Sequence, residues 1–402
     1  MIELGCFDSS TPDSVCQAYL KQVEEITRVP LANIVEGRDR LRLKTHVPDA
    51  QQSMSVAEVQ QGLKSTGFFP GGKVDGICGY RTLSAIRLFQ EYVRCAEKTA
   101  GLIPDGRFGP VSQQHLKHWL DHKLQPDWAP VIERWPAAAE GPTEYADWLA
   151  LLESVKAQYL ASPNAMLQKV NAFGAGSDTR KVEKWDFTAA GNIHLVGIRR
   201  SEMRGKFDDI FVLLIKGLVF KFQGSTEPGA TKDPRGLPFL VQGQHDYHFG
   251  WHQKKYLALR PRSGGVLVVR SKDGKSLDDA DLKNGLEANA SINIHWGGKG
   301  MMGDVNNWSE GCQVINGSVY LDAKDELVNC SAFTALNNDE LANDPAKTRG
   351  AYNVLLDLVT ALASDLSPTL KYMLLTEQDL ALGPGLGRKL AEARDKVQQM
   401  LS

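Results

Sequence analysis

A cysteine and a histidine in the C-terminal half of the chain have the residue types that nucleophilic catalysis requires. His295 follows a short apolar run that ends at Ile294, and Cys312 comes seventeen positions later, between Gly311 and Gln313. Cysteine attacks as the thiolate, so a catalytic cysteine needs a partner that takes its proton, and histidine suits that task. If His295 activates Cys312, the thiol should react with iodoacetamide well below about pH 8.5.

The residues beside Cys312 predict a tight turn whose backbone amides face the reaction centre. Gly311 leaves its neighbour room for such a turn, so amides near Cys312 are expected to stabilise a developing oxyanion. Ser309 and Gly311 are expected to shape this loop, and with Cys312 and His295 they form the predicted catalytic set. The alternative is a buried cysteine near an unrelated loop histidine.

This segment resembles the signature of the L,D-transpeptidase catalytic domain of the YkuD type, in which a histidine at a strand end precedes a Ser/Thr-His-Gly-Cys box. Four positions match that signature: His295, Ser309, Gly311 and Cys312. Glu310 stands where the family has its second histidine. Gln313-Val314 replaces an apolar residue followed by Arg or Asn, which removes a common partner for a substrate carboxylate or for the loop.

The pattern from about residue 185 onward is typical of strands, and the resemblance covers about 211 to 316. Phe211 to Ile215 and Leu218 to Phe222 predict a hairpin with a Lys216-Gly217 turn. The resemblance implies a β-sandwich with a substrate groove beside the nucleophile. The predicted substrate-binding residues are Trp296, Gly297, Trp308, Glu310, His248 and Gly236. A place in the core is the favoured alternative for the two tryptophans, and simple solvation is the favoured alternative for Glu310.

A second resemblance covers roughly residues 53 to 122. Ser55 followed by Glu58 is typical of a capping box, and the Asp75-Gly76 turn recurs about 30 residues later at Asp105-Gly106. The segment resembles a peptidoglycan-binding domain, whose pattern is matched by Asp75-Gly76, Gly79, Thr82, Ala85 and Phe89-Gln90. The resemblance implies a three-helix bundle that binds cell-wall glycan or stem peptide. Taken singly, the Asp-Gly turns are expected only to cap helices.

The predicted fold class is a multidomain α+β protein with five segments. They are an N-terminal helical segment (1–52), the peptidoglycan-binding domain (53–122), a helical connector and linker (123–184), the L,D-transpeptidase-like catalytic domain (185–330) and a helical C-terminal extension (331–402). Within the extension, Leu370 to Leu375 is expected to be a strand or edge segment.

Composition excludes several classes of protein. The 402 residues are 42% hydrophobic and 23% charged, as in ordinary globular proteins, and the formal net charge of −2 argues against nucleic-acid binding. No apolar run approaches the roughly 18 to 20 residues that a membrane span needs. The first residues do not resemble a signal peptide. We therefore expect synthesis in the cytoplasm and delivery to the cell wall or periplasm by a non-classical route, with a secretion apparatus or an immunity protein among the partners to consider.

The histidine-rich stretch from His245 to His252 is the main competing site. His245, His248 and His252 with Asp246 could in principle assemble a metal site, but the spacing is not that of a His-Glu-x-x-His helix. A loop that lines the substrate groove, or a packed loop with satisfied histidines, is expected instead. No metal and no cofactor are predicted.

The predicted function is a peptidoglycan-modifying cysteine enzyme. As the resemblance implies, Cys312 would attack the carbonyl of the third stem residue, a diamino acid, and form a thioester. Transfer to an amine would give cross-links or D-amino-acid exchange, and transfer to water would give carboxypeptidase or endopeptidase cleavage. The alternatives are a hydrolase delivered as an antibacterial effector or phage lysin, a metal peptidase at the histidine cluster, and a non-catalytic wall-binding protein.

Overall fold

The structure is a computed structural model of the chain, and its described residues fold as a mixed α/β protein. It describes residues 1–402 except 36, 100, 137–142, 175, 189–192, 201–204, 232, 273–276, 278, 301–302, 364–368, 384 and 402. Among the helices of these residues, none combines the length and the apolar character needed to cross a membrane.

Some helices begin at a side-chain cap, whereas others, such as those that start at Asp13, Tyr80 and Pro110, begin without one. Ser55 and Glu58 form the predicted capping box at the start of the helix Val56–Ser65, and the side chains of Thr143 and Asn164 cap the helices Glu144–Ala161 and Ala165–Ala172. The α-helices of the described residues are α1 Asp13–Thr27, α2 Val56–Ser65, α3 Tyr80–Ala96, α4 Pro110–Asp121, α5 Ala129–Glu133, α6 Glu144–Ala161, α7 Ala165–Ala172, α8 Asp279–Lys283, α9 Asn338–Asn343, α10 Ala351–Leu362 and α11 Leu386–Leu401.

The strands build one large sheet and two small ones. Their bounds are β1 Cys6–Asp8, β2 Lys44–His46, β3 Ile193–Arg199, β4 Asp209–Ile215, β5 Leu218–Ser225, β6 Leu237–Leu240, β7 Gly243–His252, β8 Tyr256–Pro261, β9 Val266–Ser271, β10 Glu287–Asn289, β11 Ile294–Trp296, β12 Gln313–Leu321, β13 Leu327–Asn329 and β14 Leu370–Thr376. The large sheet runs β11-β8-β7-β14-β3-β4-β5-β12-β13. It closes on itself because β11 pairs with both β8 and β12.

This closed sheet differs from the two stacked layers of a sandwich, so the sandwich expectation is not confirmed. The predicted hairpin is confirmed: β4 and β5 pair with Ile215 opposite Leu218, and both turn residues, Lys216 and Gly217, have positive φ. A two-residue turn with positive φ at both positions matches the natural twist of paired strands. The C-terminal segment is not purely helical, because its strand β14 lies in the middle of the sheet between β3 and β7.

The first Asp-Gly turn of the N-terminal region is organised by one buried glutamine. The side-chain amide of Gln60 donates to Asp75 Oδ1 at 2.9 Å, Ile77 O at 3.0 Å and Thr82 Oγ1 at 3.0 Å. Its carbonyl oxygen accepts from the N–H groups of Asp75 and Gly76. Gln60 thus ties the turn to α2 and to the start of α3.

The same arrangement recurs thirty residues later. Gln90 donates to Asp105 Oδ1 at 3.3 Å, Arg107 O at 2.9 Å and Ser112 Oγ at 3.1 Å, and accepts from Gly106 N at 2.9 Å. The repeated Asp-Gly turns therefore carry a repeated structural device, in which a buried glutamine satisfies the turn's polar groups.

Helices α2 to α4 are not confirmed as a free-standing three-helix bundle, because α3 also packs along α10. Arg87 on α3 donates two hydrogen bonds to Asp357 on α10, at 2.9 and 2.6 Å. Arg81 donates to Ala363 O at 2.7 Å, just beyond the end of α10. The N-terminal helices are thereby joined to the elements that support the large sheet.

Candidate active site

The pairing of two short strand ends places Cys312 and His295 together. Strand β11 runs parallel to β12 with His295 opposite Val314, and the N–H of Gln313 donates to Asn293 O at 2.8 Å. Residues two apart on a strand share a face, so Asn293 and His295 point to the same side. Cys312 precedes β12 on that same side, and its thiol and the imidazole line one cleft.

The turn before Cys312 is held by Ser309 and requires a glycine. Ser309 Oγ donates to Cys312 O at 2.7 Å and accepts from Gly311 N at 3.0 Å. Gly311 has a φ of 140°, and a Cβ there would lie 2.6 Å from Pro238 Cγ and 2.7 Å from Pro238 O. The Gly311 N–H is therefore already used. Within the part of the chain that the structure describes, the Cys312 N–H makes no hydrogen bond, so it is the amide available to an oxyanion.

The Cys312 thiol is partly exposed to the cleft and rests in its neutral form. Its Sγ accepts from Asn293 N and donates to Ser291 O, both at 3.3 Å. Burial raises the pKa of Cys312 to about 11, although the Asn293 N–H and the Arg260 guanidinium act in the opposite direction. The geometry thus differs from the sequence expectation of a thiol that reacts well below about pH 8.5. A nucleophilic role for this thiol would therefore require its proton to leave as the new bond forms.

His295 is oriented as a neutral base. Its Nδ1 lies 2.8 Å from Trp296 O and 3.5 Å from the Tyr256 hydroxyl. A carbonyl oxygen only accepts, so Nδ1 carries the hydrogen and Nε2 keeps its lone pair. Nε2 makes no hydrogen bond to any described residue, and burial lowers the pKa of His295 to about 4. The imidazole is therefore unprotonated at neutral pH and able to accept a proton.

A second histidine, which the sequence did not single out as catalytic, lies against the first. The His252 ring stacks on His295 with centroids 4.1 Å apart. Its Nδ1 accepts from the side-chain amide of Asn293 at 3.1 Å, while Asn293 Oδ1 is buried without a partner among the described residues. Asn293 thus contacts both groups: its backbone N–H donates to the Cys312 thiol, and its side chain donates to the His252 imidazole.

The stretch from His245 to His252 lies in strand β7, so the expected histidine-rich loop is wrong. Strand alternation separates the side chains: His245 is buried and bonds Thr179 Oγ1 and Val241 O, whereas His252 reaches the cleft. Asp246 forms ion pairs with Arg180 and Lys371. Among the described residues, no three His, Cys, Asp or Glu groups come together as metal ligands.

A cleft of about 640 Å³ surrounds the thiol, and a second cavity of about 470 Å³ adjoins it. Both are lined by His252, Gln253, His295, Asn307 and Trp308. The imidazole of His295 therefore stands where two spaces meet, with Cys312 in the larger one. An acid–base group at such a junction can serve a molecule on either side.

The predicted substrate-binding residues divide into three groups. Trp308 and Glu310 line the cleft, and Glu310 is exposed, as its solvation alternative proposed. Trp296 and Gly297 are buried, and Trp296 supports Trp308 in an edge-to-face contact with centroids 5.5 Å apart. His248 and Gly236 do not line either cavity: His248 shares the strand face of His252 but lies roughly 13 Å before it along β7, and Gly236 accepts a hydrogen bond from Arg270.

Tyr256, Arg260 and Asn293 are among the cleft residues that sequence reasoning missed, whereas His252 was considered only as part of the histidine-rich stretch. Asn293 could have been found, because it alternates with His295 on one strand. Arg260 and Tyr256 come from β8, whose antiparallel pairing with β7 and β11 no local pattern reveals.

Comparison with models of protein families gives no match, and comparison with curated proteins gives none either. Among solved structures, the chain is weakly similar to a fused Zn-dependent amidase/peptidase/peptidoglycan-binding domain-containing protein from Clostridium acetobutylicum ATCC 824. The TM-score is 0.20 and the identity 11%, over 79% of this chain and 94% of that chain. A similarity of that size does not establish a common fold, so the function is argued from the site itself.

Proposed function

We propose that this protein is a cysteine acyltransferase that acts on the stem peptides of peptidoglycan. The observation that carries the proposal is the placement of a partly exposed thiol and a neutral imidazole on one face of the paired ends of β11 and β12, inside a cleft large enough for a peptide. The resemblance of the His295 to Cys312 segment to L,D-transpeptidases supplies the substrate class.

In the first half-reaction His295 Nε2 takes the proton of Cys312 as Sγ attacks the donor carbonyl carbon. The new C–S bond converts the carbonyl into an oxyanion that the Cys312 N–H stabilises. The C–N bond then breaks, the carbonyl re-forms as a thioester, and His295 returns its proton to the leaving amine. Because thiol and imidazole are both neutral at rest, the proton moves together with the attack.

In the second half-reaction an acceptor amine attacks the thioester while His295 Nε2 takes its proton. The C–S bond breaks, an amide forms, and the proton passes to the departing sulfur, which restores the thiol. The adjoining cavity favours transfer over hydrolysis, because it offers an acceptor peptide a place beside His295 that does not overlap with the donor. Water in that place would give the hydrolase that is the second candidate.

The remaining predictions about biology follow from this proposal. Peptidoglycan is the expected partner, and the cell wall or periplasm is the expected place of action. A role of the N-terminal helices in wall binding, a secretion apparatus and an immunity protein stay predictions from the sequence.

The proposal is tested by mapping muropeptides after incubation of tetrapeptide-rich peptidoglycan with the purified protein. New cross-links between third stem residues, or exchanged terminal residues, are expected for the wild type and absent for Cys312→Ala. Cys95→Ala is the matched control, because Cys95 is an exposed cysteine outside the cleft and its loss should leave the products unchanged. Cysteine-dependent loss of terminal residues without new bonds would identify the hydrolase. No product from any variant would contradict an enzymatic role.

A further inference from the structure

We infer that Arg260 binds a carboxylate of the acyl donor and so selects which stem peptides enter the cleft. This inference rests on the proposed function for the identity of the donor. The binding site itself rests on the position of one cation.

Arg260 has hydrogen-bond donors to spare beside the nucleophile. It lies on β8 and lines the cleft together with Cys312. Its Nη1 donates to Trp251 O at 3.3 Å and its Nη2 to Ala290 O at 3.4 Å. A guanidinium offers five N–H donors, so these two long bonds leave most of them unused. No carboxylate of the described residues lies within ion-pair distance of Arg260.

The other arginine of the cleft is neutralised by its neighbours. Arg270 lies 2.7 Å from Glu287 and 3.2 Å from Asp233. Arg235 pairs with the same two carboxylates, at 2.6 Å from Asp233 and 3.0 Å from Glu287. Two cations and two anions thus form a closed cluster at one wall of the cleft. The cluster has no net charge, so it offers no unpaired positive charge to a ligand.

Three charged side chains of the cleft remain without an ionic partner in the described structure: Lys254, Arg260 and Glu310. Lys254 is exposed on the turn after β7. Arg260 is half-buried, and its planar fork matches a carboxylate with two parallel hydrogen bonds. Arg260 also lowers the pKa of Cys312, which places its charge near the reacting sulfur.

The residue after the nucleophile cannot perform this role. Gln313 is buried, and its side-chain oxygen accepts a hydrogen bond from Tyr372 at 2.9 Å. Val314, which stands where the L,D-transpeptidase signature has Arg or Asn, is also fully buried. Arg260 on β8 therefore supplies the positive charge that Gln313 and Val314 lack. Strand β8 lies outside the sequence motif around Cys312.

Two carboxylates of the donor have the required chemistry. One is the side-chain carboxylate of the diamino acid, and the other is the terminal carboxylate of the leaving residue. The terminal carboxylate lies about two bonds from the scissile amide nitrogen and the side-chain carboxylate about six bonds from the scissile carbonyl carbon, so either would anchor the donor with its carbonyl held beside Sγ.

The experiment measures binding of synthetic stem tetrapeptides by calorimetry to Cys312→Ala, which cannot turn them over. Arg260→Gln in that background is expected to weaken binding of the unmodified peptide about 10- to 100-fold. If the carboxylate that Arg260 binds is amidated, the peptide should bind Cys312→Ala as weakly as the unmodified peptide binds the double variant. The amidated peptide should therefore bind Cys312→Ala and the double variant equally. Amidation at the other carboxylate should have no such effect, which separates the two sources.

Arg388→Gln is the matched control, because it removes the same charge at an exposed position of α11 outside the cleft and should leave binding unchanged. Arg260→Lys keeps the charge without the planar fork and should recover part of the affinity. Such a recovery would show that the weak binding of Arg260→Gln comes from the lost charge and not from unfolding. Equal binding with and without Arg260 would overturn the inference. Arg260-dependent binding together with no conversion by the wild type would instead overturn the proposed function and leave the carboxylate site standing.

Discussion

His252 stacks on His295 with ring centroids 4.1 Å apart and planes inclined by 27°. Two imidazolium ions at this separation would repel each other, so at most one of the pair is protonated near the thiol. Burial lowers the pKa of both rings, to about 4 for His295 and to about 2 for His252, where the charge of His295 adds to the effect. His295 is the stronger base, and its Nε2 keeps a lone pair, whereas the hydrogen of neutral His252 sits on Nε2 because its Nδ1 accepts from Asn293.

We therefore expect different effects from removing the two rings. His295→Gln should lower kcat by about 10²- to 10⁴-fold with little change in KM, because it removes proton transfer. His252→Gln should lower kcat far less, because His252 acts only through Asn293 and the stack. Steady-state kinetics on a stem tetrapeptide check both values.

The pH profile separates these roles further. Activity should fall as the pH decreases through about 4, because His295 becomes protonated there and cannot accept the thiol proton. His252→Gln should retain this acidic limb, while the residual activity of His295→Gln should lack it. An acidic limb that survives in His295→Gln would assign it to another group.

Alkylation of Cys312 should be slow at neutral pH and should rise with pH. Because the thiol pKa is raised to about 11, the thiolate fraction increases about tenfold for each pH unit below that value. Peptide mapping after timed iodoacetamide treatment should show no plateau up to about pH 9. A plateau below about pH 8.5 would support the preformed thiolate that the sequence alone suggests.

The candidate site shows what sequence reasoning reached. Cys312 and His295 could be expected in one cleft because they are close in the sequence and their setting resembles a known signature. Ser309 and Gly311 could be assigned to loop shaping because their types allow little else. The stacking of His252 on His295 and the place of Arg260 in the cleft could not be predicted, because both depend on the pairing of β7 and β8 across the sheet. The pKa of Cys312 depends on burial, which a motif does not record.

The fold likewise has local features that the sequence predicts and long-range pairings that it does not. The β4–β5 hairpin and the capping box of α2 depend on neighbouring residues, so their patterns were sufficient. Closure of the sheet depends on β11 meeting both β8 and β12, and the central place of β14 depends on contacts more than a hundred residues away. Such pairings are set by tertiary packing, which a single sequence does not display.

Gly311 should tolerate no side chain. Its φ of 140° disfavours L-residues, and a Cβ would press on Pro238 at 2.6 Å, so Gly311→Ala should displace the Cys312 amide and reduce kcat by more than about 100-fold. Gly303→Ala, in the same loop, is the control because a Cβ there meets nothing within 4 Å. Equal kinetics for the two variants would show that the turn does not position the nucleophile.

Gln60 should be important for stability and unimportant for chemistry. Gln60→Leu leaves the turn's N–H groups and Asp75 without their partner, which should cost about 2–4 kcal/mol of unfolding free energy. Urea unfolding measures this loss, with the exposed Gln61→Leu as a control of the same chemistry. If Gln60→Leu and Gln61→Leu have the same unfolding free energy, the hydrogen bonds of Gln60 do not stabilise the Asp75-Gly76 turn.

The Arg87–Asp357 ion pair should hold the N-terminal helices against α10. Asp357 is 1% exposed, and its carboxylate accepts both hydrogen bonds from Arg87 at 2.9 and 2.6 Å. Asp357→Asn leaves a buried guanidinium without a counter-charge, so we expect a loss of about 3–5 kcal/mol in unfolding free energy. Urea unfolding of the full chain measures the change.

The double variant Arg87→Met with Asp357→Leu distinguishes charge from packing. Apolar residues of similar volume at both positions avoid the cost of burying ions, so the double variant should regain most or all of the stability that Asp357→Asn loses. Both variants should keep the Cys312 alkylation profile, because the pair lies outside the cleft. A double variant as unstable as Asp357→Asn would mean that the two helices depend on the shape of the ion pair rather than on balanced charge.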